Sequence, residues 1–233
     1  MLGTIVNTIA IIVGSTTGSV FKKLLGERYR KVLFETLGLC TIMLGVNASV
    51  SNMAKSEYPV LFILSLAIGG IIGTKLDFAG KLERYEEKKR ENTMTKDNEP
   101  KLIEGLTTGC LLFCIGTFSI LGPVLSALEG NNTYLFTNAT LDLVSSAVLA
   151  SVYGWRMMFA APVLFCWQGM FYLLAIVFKE AIPDPMRIEL SIVGGVLILS
   201  SGLSLLKIKD CKTVNLLPSL LVPVVFYLIK GLF

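Results

Sequence analysis

The sequence predicts an all-α membrane protein, a polytopic bundle of eight transmembrane helices, and three observations support that class. Eight apolar stretches fill most of the 233 residues. Hydrophobic residues make up 53% of the chain and charged residues only 16%, and the mean hydropathy is +0.69. Most of the charged residues fall in the gaps between the stretches. A soluble domain of this length would carry far more charge, so we expect residues 1–233 to form a single integral membrane domain.

The apolar stretches have the length that a bilayer requires. They run over residues 3–21, 33–50, 59–76, 104–126, 137–153, 157–178, 188–206 and 214–232. A helix needs about 20 mostly apolar residues to cross a bilayer, and lipid cannot hydrogen-bond to backbone groups, so each stretch is expected to be helical. The expected partner is therefore the lipid bilayer and not nucleic acid, although the net charge is +4.

The basic residues predict which side of the membrane each gap faces. They gather in residues 22–31 and 75–101, at Arg156, and in 207–212. Such residues favour the cytoplasmic side. The opposite gaps hold only Lys55, Lys179, Arg187 and Lys230. Eight alternating spans then leave both termini on the non-cytoplasmic side, and residues 77–103 become a cytoplasmic connector between spans three and four.

Span five, residues 137–153, is the weakest of the eight. It is short and carries Asp142, Ser145, Ser146 and Ser151. The alternative is a re-entrant hairpin, which would leave seven spans and invert spans six to eight. The charge pattern favours eight spans, because inversion would move the basic residues 207–212 outside.

Glycines four residues apart predict close helix contacts in two spans. Gly14 and Gly18 lie in span one, and Gly69 and Gly73 lie in span three. Small residues at this spacing let two helix backbones approach within a membrane. The similar placement of the two pairs also suggests an internal repeat, and such faces are compatible with a homo-oligomer such as a homodimer.

Asp142 is, from the sequence, the only acidic side chain clearly inside a span. Charged groups there are costly and often functional. Two interpretations stay open: a cation or proton site, or a carboxylate near the start of a helix at the interface. We predict that Asp142 faces the protein interior with at least one polar partner from another span, and Asn7, Asn47 and Gln168 are the candidate partners. The candidate residues for binding a solute or ion are Asp142, Asn7, Asn47, Ser145, Ser146 and Gln168.

Prolines predict irregular helices in three spans. Gly122-Pro123 is expected to kink or end span four, Pro162 to interrupt span six, and Pro218 and Pro223 to disturb the last span. Proline removes a backbone donor and frees a carbonyl group. Broken helices hold ions and substrates in many transporters, whereas simple kinks are the alternative.

The side-chain inventory argues against an enzyme. The chain has no histidine, which removes histidine-based acid–base chemistry and histidine metal sites. Cys110 and Cys114 share a helix face, either as a soft-metal pair or, as we expect, as two small buried residues. No acid, base and nucleophile can be assembled from spacing. We therefore predict no catalytic residues, no metal and no cofactor.

The chain resembles the YqgA/YdfK-like family of bacterial membrane proteins over almost its whole length. The resemblance rests on Gly3-Thr4-Ile5-Val6-Asn7-Thr8 with Gly14 and Gly18, Leu112-Phe113-Cys114-Ile115-Gly116, Leu141-Asp142, Ala150-Ser151, Gln168-Gly169, Gly194-Gly195 and Asn215-Leu216-Leu217-Pro218. It implies a multi-pass protein of the bacterial inner membrane, loosely described as a transporter. Relatives often have a lysine four residues before the aspartate and a glycine after it, where this chain has Asn138 and Leu143.

Two functions from different classes follow. The first is a transporter or channel for a small solute or ion, which rests on the many spans, the prolines and Asp142. The chain has no Walker-type phosphate loop, so transport would be secondary or passive. The alternative is a membrane scaffold or regulator that meets a cytoplasmic partner through residues 77–101.

Overall fold

A computed structural model describes residues 1–21, 27–81, 84, 106, 109–110, 112–114, 116–179 and 182–231. These residues form helices and turns and no strands, which confirms the all-α prediction for the described part of the chain. The α-helices, in chain order, are α1 (Leu2–Val20), α2 (Glu27–Met53), α3 (Leu61–Leu76), α4 (Thr117–Glu129), α5 (Thr133–Tyr153), α6 (Ala160–Val177), α7 (Asp184–Leu205), α8 (Thr213–Leu216) and α9 (Leu221–Lys230). Short 3-10 helices at Trp155–Phe159 and Leu217–Leu220 precede α6 and α9.

Six helical segments of the described chain are long and apolar enough to cross a membrane. They are Leu2–Val20, Lys31–Met53, Leu61–Lys81, Trp155–Val177, Asp184–Leu205 and Thr213–Lys230. Helix α4 is apolar but has 13 residues, and α5 has 21 residues with a more polar composition. The membrane class is therefore confirmed, whereas the count of eight spans and the internal repeat stay predictions. Most of the predicted connector 77–103 lies outside the described residues.

The helices pack into two compact units. Unit 1 comprises Met1–Glu35 and Leu82–Val177, and unit 2 comprises Thr36–Lys81 and Phe178–Phe233. Unit 1 therefore contains α1, α4, α5 and α6, and unit 2 contains most of α2 together with α3, α7, α8 and α9.

In unit 1, α1 lies against α5 along its length, and the two helices run parallel. Gly3 lies against Leu135, Gly14 against the Leu143 carbonyl group and Gly18 against the Ala147 backbone. A Cβ atom at Gly14 or Gly18 would overlap these backbone atoms. The predicted close contact at the first glycine pair is confirmed, and α5 is its partner.

In unit 2, two antiparallel helix pairs also approach each other closely at glycine residues. Gly69 lies against Ser219 and Gly73 against the Asn215 carbonyl group, so α3 and the last span run in opposite directions. This confirms the second predicted glycine contact. Helix α2 packs against α7 in the same way, and the Ser49 hydroxyl group donates to the Ile192 carbonyl oxygen at 3.1 Å.

The helix breaks differ from those that the prolines predict. Pro123 lies inside α4, which continues through it, and Pro162 is the third residue of α6, just after the 3-10 turn Trp155–Phe159. Span four instead breaks at Gly116, which lies in a bend immediately before α4. Pro218 does coincide with a break, because it lies in the 3-10 turn Leu217–Leu220 within the last span.

Segment 133–153 is a single continuous helix and not a hairpin. It follows α4 after a short turn at Gly130, whose φ of 72° ends α4, and it stops at Gly154, whose φ is 89°. Both positions need the left-handed region that glycine adopts without steric cost. Asp142 therefore sits in the middle of a helix, well away from the α5 ends.

Candidate functional site

Asp142 is the centre of a buried polar network in unit 1. Its side chain is only 5% exposed. The Asn7 amide nitrogen on α1 donates to Asp142 Oδ2 at 2.9 Å, and the Asn138 amide nitrogen, one helical turn earlier on α5, donates to the same oxygen at 3.0 Å. The prediction that Asp142 faces the protein interior with a partner from another span is confirmed, and that partner is Asn7.

Ser119 extends the network to two further elements. Its hydroxyl oxygen accepts from the Asn138 amide at 3.1 Å and from the Gln168 amide on α6 at 3.5 Å. Its hydroxyl hydrogen is donated to the Phe113 carbonyl oxygen, just before the break at Gly116. A hydroxyl group has one donor and two acceptor positions, so Ser119 uses its full capacity here.

The glycine contacts explain why α1 can supply Asn7 to this network. Gly3 and Gly14 lie against α5 on either side of Asn7 and let the two helix axes approach closely. A short asparagine side chain can then reach the carboxylate from the neighbouring helix. The break at Gly116 similarly places Ser119, the third residue of α4, in the same polar layer.

Two carbonyl oxygens of this network have no hydrogen-bond partner among the residues that the structure describes. Asn7 Oδ1 and Gln168 Oε1 are both buried and unpaired, and both side chains are fully buried. The buried hydroxyl group of Thr4, one turn before Asn7 on α1, also has no partner within the described part of the chain. Buried polar groups in proteins almost always find a partner, so each of these oxygens could still accept from a donor or bind a cation.

The charge of Asp142 is also uncompensated. Within the described residues no lysine or arginine side chain pairs with it, and its hydrogen bonds come from neutral amides. A buried ionised carboxylate without a cation is strongly unfavourable in a medium of low dielectric constant. A bound cation or a proton would remove that cost, and the unpaired oxygens would serve a small hard cation as further ligands.

The other sequence-predicted candidates fall into two groups. Ser145 and Ser146 are buried on α5, and Ser146 donates to the Leu143 carbonyl oxygen at 3.1 Å beside Gly14, so it belongs to the helix contact. Asn47 lies in unit 2, where its exposed side chain accepts a hydrogen bond from Ser51 at 3.2 Å.

Sequence reasoning missed three residues. Asn138 was noted only as a departure from the family pattern, although its position four residues before Asp142 puts both on one helix face. Ser119 carries no signal of its own, because its role depends on the break at Gly116. Glu189 was not considered, although it lies in α7 and its side chain is only 1% exposed.

Residues 2–228 match a protein family described as a protein of unknown function, DUF554. The chain belongs to this family. It is 49% identical over 232 residues to the uncharacterized membrane protein YdfK of Bacillus subtilis (strain 168), covering 99% of this chain and 98% of the relative. It is 25% identical over 228 residues to the uncharacterized protein YqgA of Escherichia coli (strain K12), covering 95% and 94% of the two chains. These relatives confirm the resemblance seen in the sequence. No solved structure matches the chain.

The role of Ser119 leads to a stability prediction. Replacing Ser119 with alanine leaves the Asn138 and Gln168 amides and the Phe113 carbonyl group without a shared partner, and each such buried group costs about 1–3 kcal/mol. We expect a clear fall in the thermal unfolding temperature of the purified protein in detergent. Ser126→Ala on the same helix is the control, because Ser126 makes a single part-buried bond to Asn132. Equal losses for the two variants would contradict the central role of Ser119.

Proposed function

We propose that this protein is a secondary or passive transporter or channel for a small solute or ion, and that the Asp142 network of unit 1 is its cation or proton site. The observation that carries the proposal is the buried carboxylate, whose hydrogen bonds within the described residues come from neutral amides, in a network whose Asn7 and Gln168 oxygens have no partner there. Intramembrane carboxylates of this kind mark ion pathways and proton relays.

The broken spans support the same proposal. Gly116 breaks span four at the network, and the 3-10 turn at Leu217–Leu220 interrupts the last span of unit 2. Irregular backbone at membrane depth is tolerated where protein or a water-filled cavity surrounds it, and transporters use such breaks to hold ions. A scaffold that acted only through residues 77–101 would not require a buried uncompensated carboxylate.

We further propose eight alternating spans in the bacterial inner membrane, with both termini on the non-cytoplasmic side. The packing directions support this count. If eight spans alternate in direction, α1 and α5 are parallel, α2 and α7 are antiparallel, and α3 and the last span are antiparallel. The glycine contacts show these same three relative directions. In the seven-span alternative, spans six to eight invert, and both pairs in unit 2 would be parallel.

Cysteine labelling tests this topology. In a cysteine-free background, a single cysteine at Lys55 is expected to react with an impermeant thiol reagent applied outside intact cells, and one at Lys209 is expected to be protected. Both side chains are exposed, so accessibility reports the side of the membrane and not burial. Labelling of the Lys209 position from outside, with the membrane intact, would contradict the eight-span arrangement.

A flux assay tests the transport function itself. Purified protein reconstituted in lipid vesicles is expected to dissipate an imposed proton or sodium gradient faster than protein-free vesicles, or to accumulate a solute in response to the gradient. Candidate solutes can be screened as pools by mass spectrometry of the vesicle contents. The scaffold alternative predicts that every gradient decays at the same rate in vesicles with and without the protein.

A further inference from the structure

A layer of apolar side chains lies next to the Asp142 network in unit 1. Its side chains are buried and pack against one another, and Leu149 of α5 packs against the edge of the cluster. We refer to six residues as the apolar layer: Ile11 of α1, Phe113 and Cys114 before the break at Gly116, and Ala160, Ala161 and Leu164 of α6. The layer therefore joins three separate elements of the same unit.

Helices α1 and α6 show how the layer is stacked on the network. Ile11 follows Asn7 by four residues on α1, and Leu164 precedes Gln168 by four residues on α6. Four residues are about one helical turn, roughly 6 Å along the axis, so each pair lies on one face of its helix. The two helices therefore run antiparallel, and each contributes one residue to the polar network and one to the adjoining apolar layer.

The segment before α4 joins the layer directly to the network. The Ser119 hydroxyl group donates to the Phe113 carbonyl oxygen, and the Phe113 side chain belongs to the apolar layer. On α5, Ser146 lies on the same side of Asp142 as the layer, but its hydroxyl group donates to a carbonyl oxygen of its own helix at 3.1 Å. This hydroxyl group is used within α5 and does not extend the network into the layer.

The apolar layer separates the network from one end of unit 1. That is the end at which α1 finishes and α6 begins, because the layer follows the network along α1 and precedes it along α6. The eight-span topology proposed above directs this end to the cytoplasm. An ion or proton at Asp142 meets apolar side chains on this side, and charge enters apolar surroundings only at high cost unless water enters with it.

We propose that the apolar layer is a gate for the Asp142 site, closed in this structure, and that an ion or proton passes between Asp142 and the proposed cytoplasmic side only when water enters the layer. Channels use hydrophobic constrictions in this way, because a narrow apolar passage stays dry until it widens. The gate rests on the proposed transport function, since a seal regulates flux only in a protein that transports. Phe113 links the gate to the site, because its carbonyl group accepts the Ser119 hydroxyl group.

The thiol of Cys114 reports whether water reaches the layer. In a protein that keeps Cys114 and carries serine at the other cysteine positions, we expect slow modification by a small charged methanethiosulfonate reagent, which does not enter a dry layer. Leu164→Asn introduces an amide of nearly the same shape and should hydrate the layer, raising the modification rate several-fold. Leu164→Met stays apolar and should not. Leu173→Asn makes the amide change on the surface of α6, where the side chain is 58% exposed, and should leave the rate unchanged.

Flux distinguishes a gate from a packed core without this role. In reconstituted vesicles, Leu164→Asn is expected to dissipate an imposed proton or sodium gradient several-fold faster than wild-type protein, and adding Asp142→Asn should remove the increase. Damage to packing alone would give a leak that does not depend on Asp142. If Leu164→Asn is not monodisperse, Ile11→Thr makes the same test, because it places a hydroxyl group in the layer with little change in side-chain size.

Three results would overturn the gate. They are equal rates of Cys114 modification with and without Leu164→Asn, a wild-type flux that Leu164→Asn leaves unchanged, and an increase that persists when Asp142→Asn is added. Failure of the transport function itself looks different. In that case vesicles with wild-type or Leu164→Asn protein would hold every gradient as long as protein-free vesicles do.

Discussion

Replacing Gly18 with leucine is expected to abolish the folded protein. A Cβ atom at this position already overlaps the Ala147 backbone of α5, so a full side chain must separate α1 from α5. Overpacking a well-packed core typically costs about 1–3 kcal/mol even where side chains can adjust, and here the obstacle is backbone. Separation of the helices would also withdraw Asn7 from Asp142. We expect little monodisperse protein on size-exclusion chromatography of detergent extracts.

Matched glycine variants make this prediction specific. Gly73→Leu should fail in the same way, because Gly73 lies against the Asn215 carbonyl group in unit 2. Gly169→Ala in α6 should be tolerated, since a Cβ atom there meets nothing within 4 Å. Normal yield and unchanged unfolding temperature for Gly18→Leu and Gly73→Leu would show that these glycines are not packing contacts.

Replacing Asp142 with asparagine is expected to keep the fold and to abolish cation- or proton-linked flux. The amide is nearly the same size as the carboxylate, and its oxygen can still accept from Asn7 and Asn138. It cannot ionise, so it neither takes up a proton nor balances a cation. The measurement is gradient-driven flux in reconstituted vesicles, normalised to the amount of inserted protein.

The control for this variant is Glu35→Gln, which makes the same chemical change at an exposed position. Glu35 lies on the surface of α2, where its carboxylate is 3.8 Å from the Lys31 ammonium group. Its replacement should leave flux unchanged, because an exposed ion pair contributes little. Flux of Asp142→Asn with wild-type rate and ion dependence would remove Asp142 from the mechanism.

The sequence predicted Asp142 and its partner Asn7, because both follow from the free-energy cost of burying a charge. A carboxylate inside a span needs a polar partner, few amides lie within the other spans, and Asn7 was among the three named. The glycine spacing likewise predicted close contacts at Gly14 and Gly18 but could not name α5 as the partner. That choice depends on long-range packing, which local patterns do not encode.

The remaining residues could not be derived because they depend on where helices break. Ser119 joins the network only because span four bends at Gly116, whereas Gly122-Pro123 looked like the stronger break signal. Pro123 is accommodated inside α4, so a proline alone did not locate the discontinuity. Glu189 was missed because it lies near the start of an apolar stretch, where a solvated carboxylate is the usual expectation.

The most direct test of the Asp142 site is the charge displaced when a cation binds, which can be measured before any solute is known. Vesicles containing the protein are adsorbed on a solid-supported membrane and exposed to a rapid jump in sodium or proton concentration. All proteins carry Glu189→Gln, so that the buried Glu189 carboxylate of unit 2 cannot contribute. The account predicts a saturable transient current for the protein with Asp142 intact and none for Asp142→Asn. The same current from both proteins, or no current from the first, would contradict it.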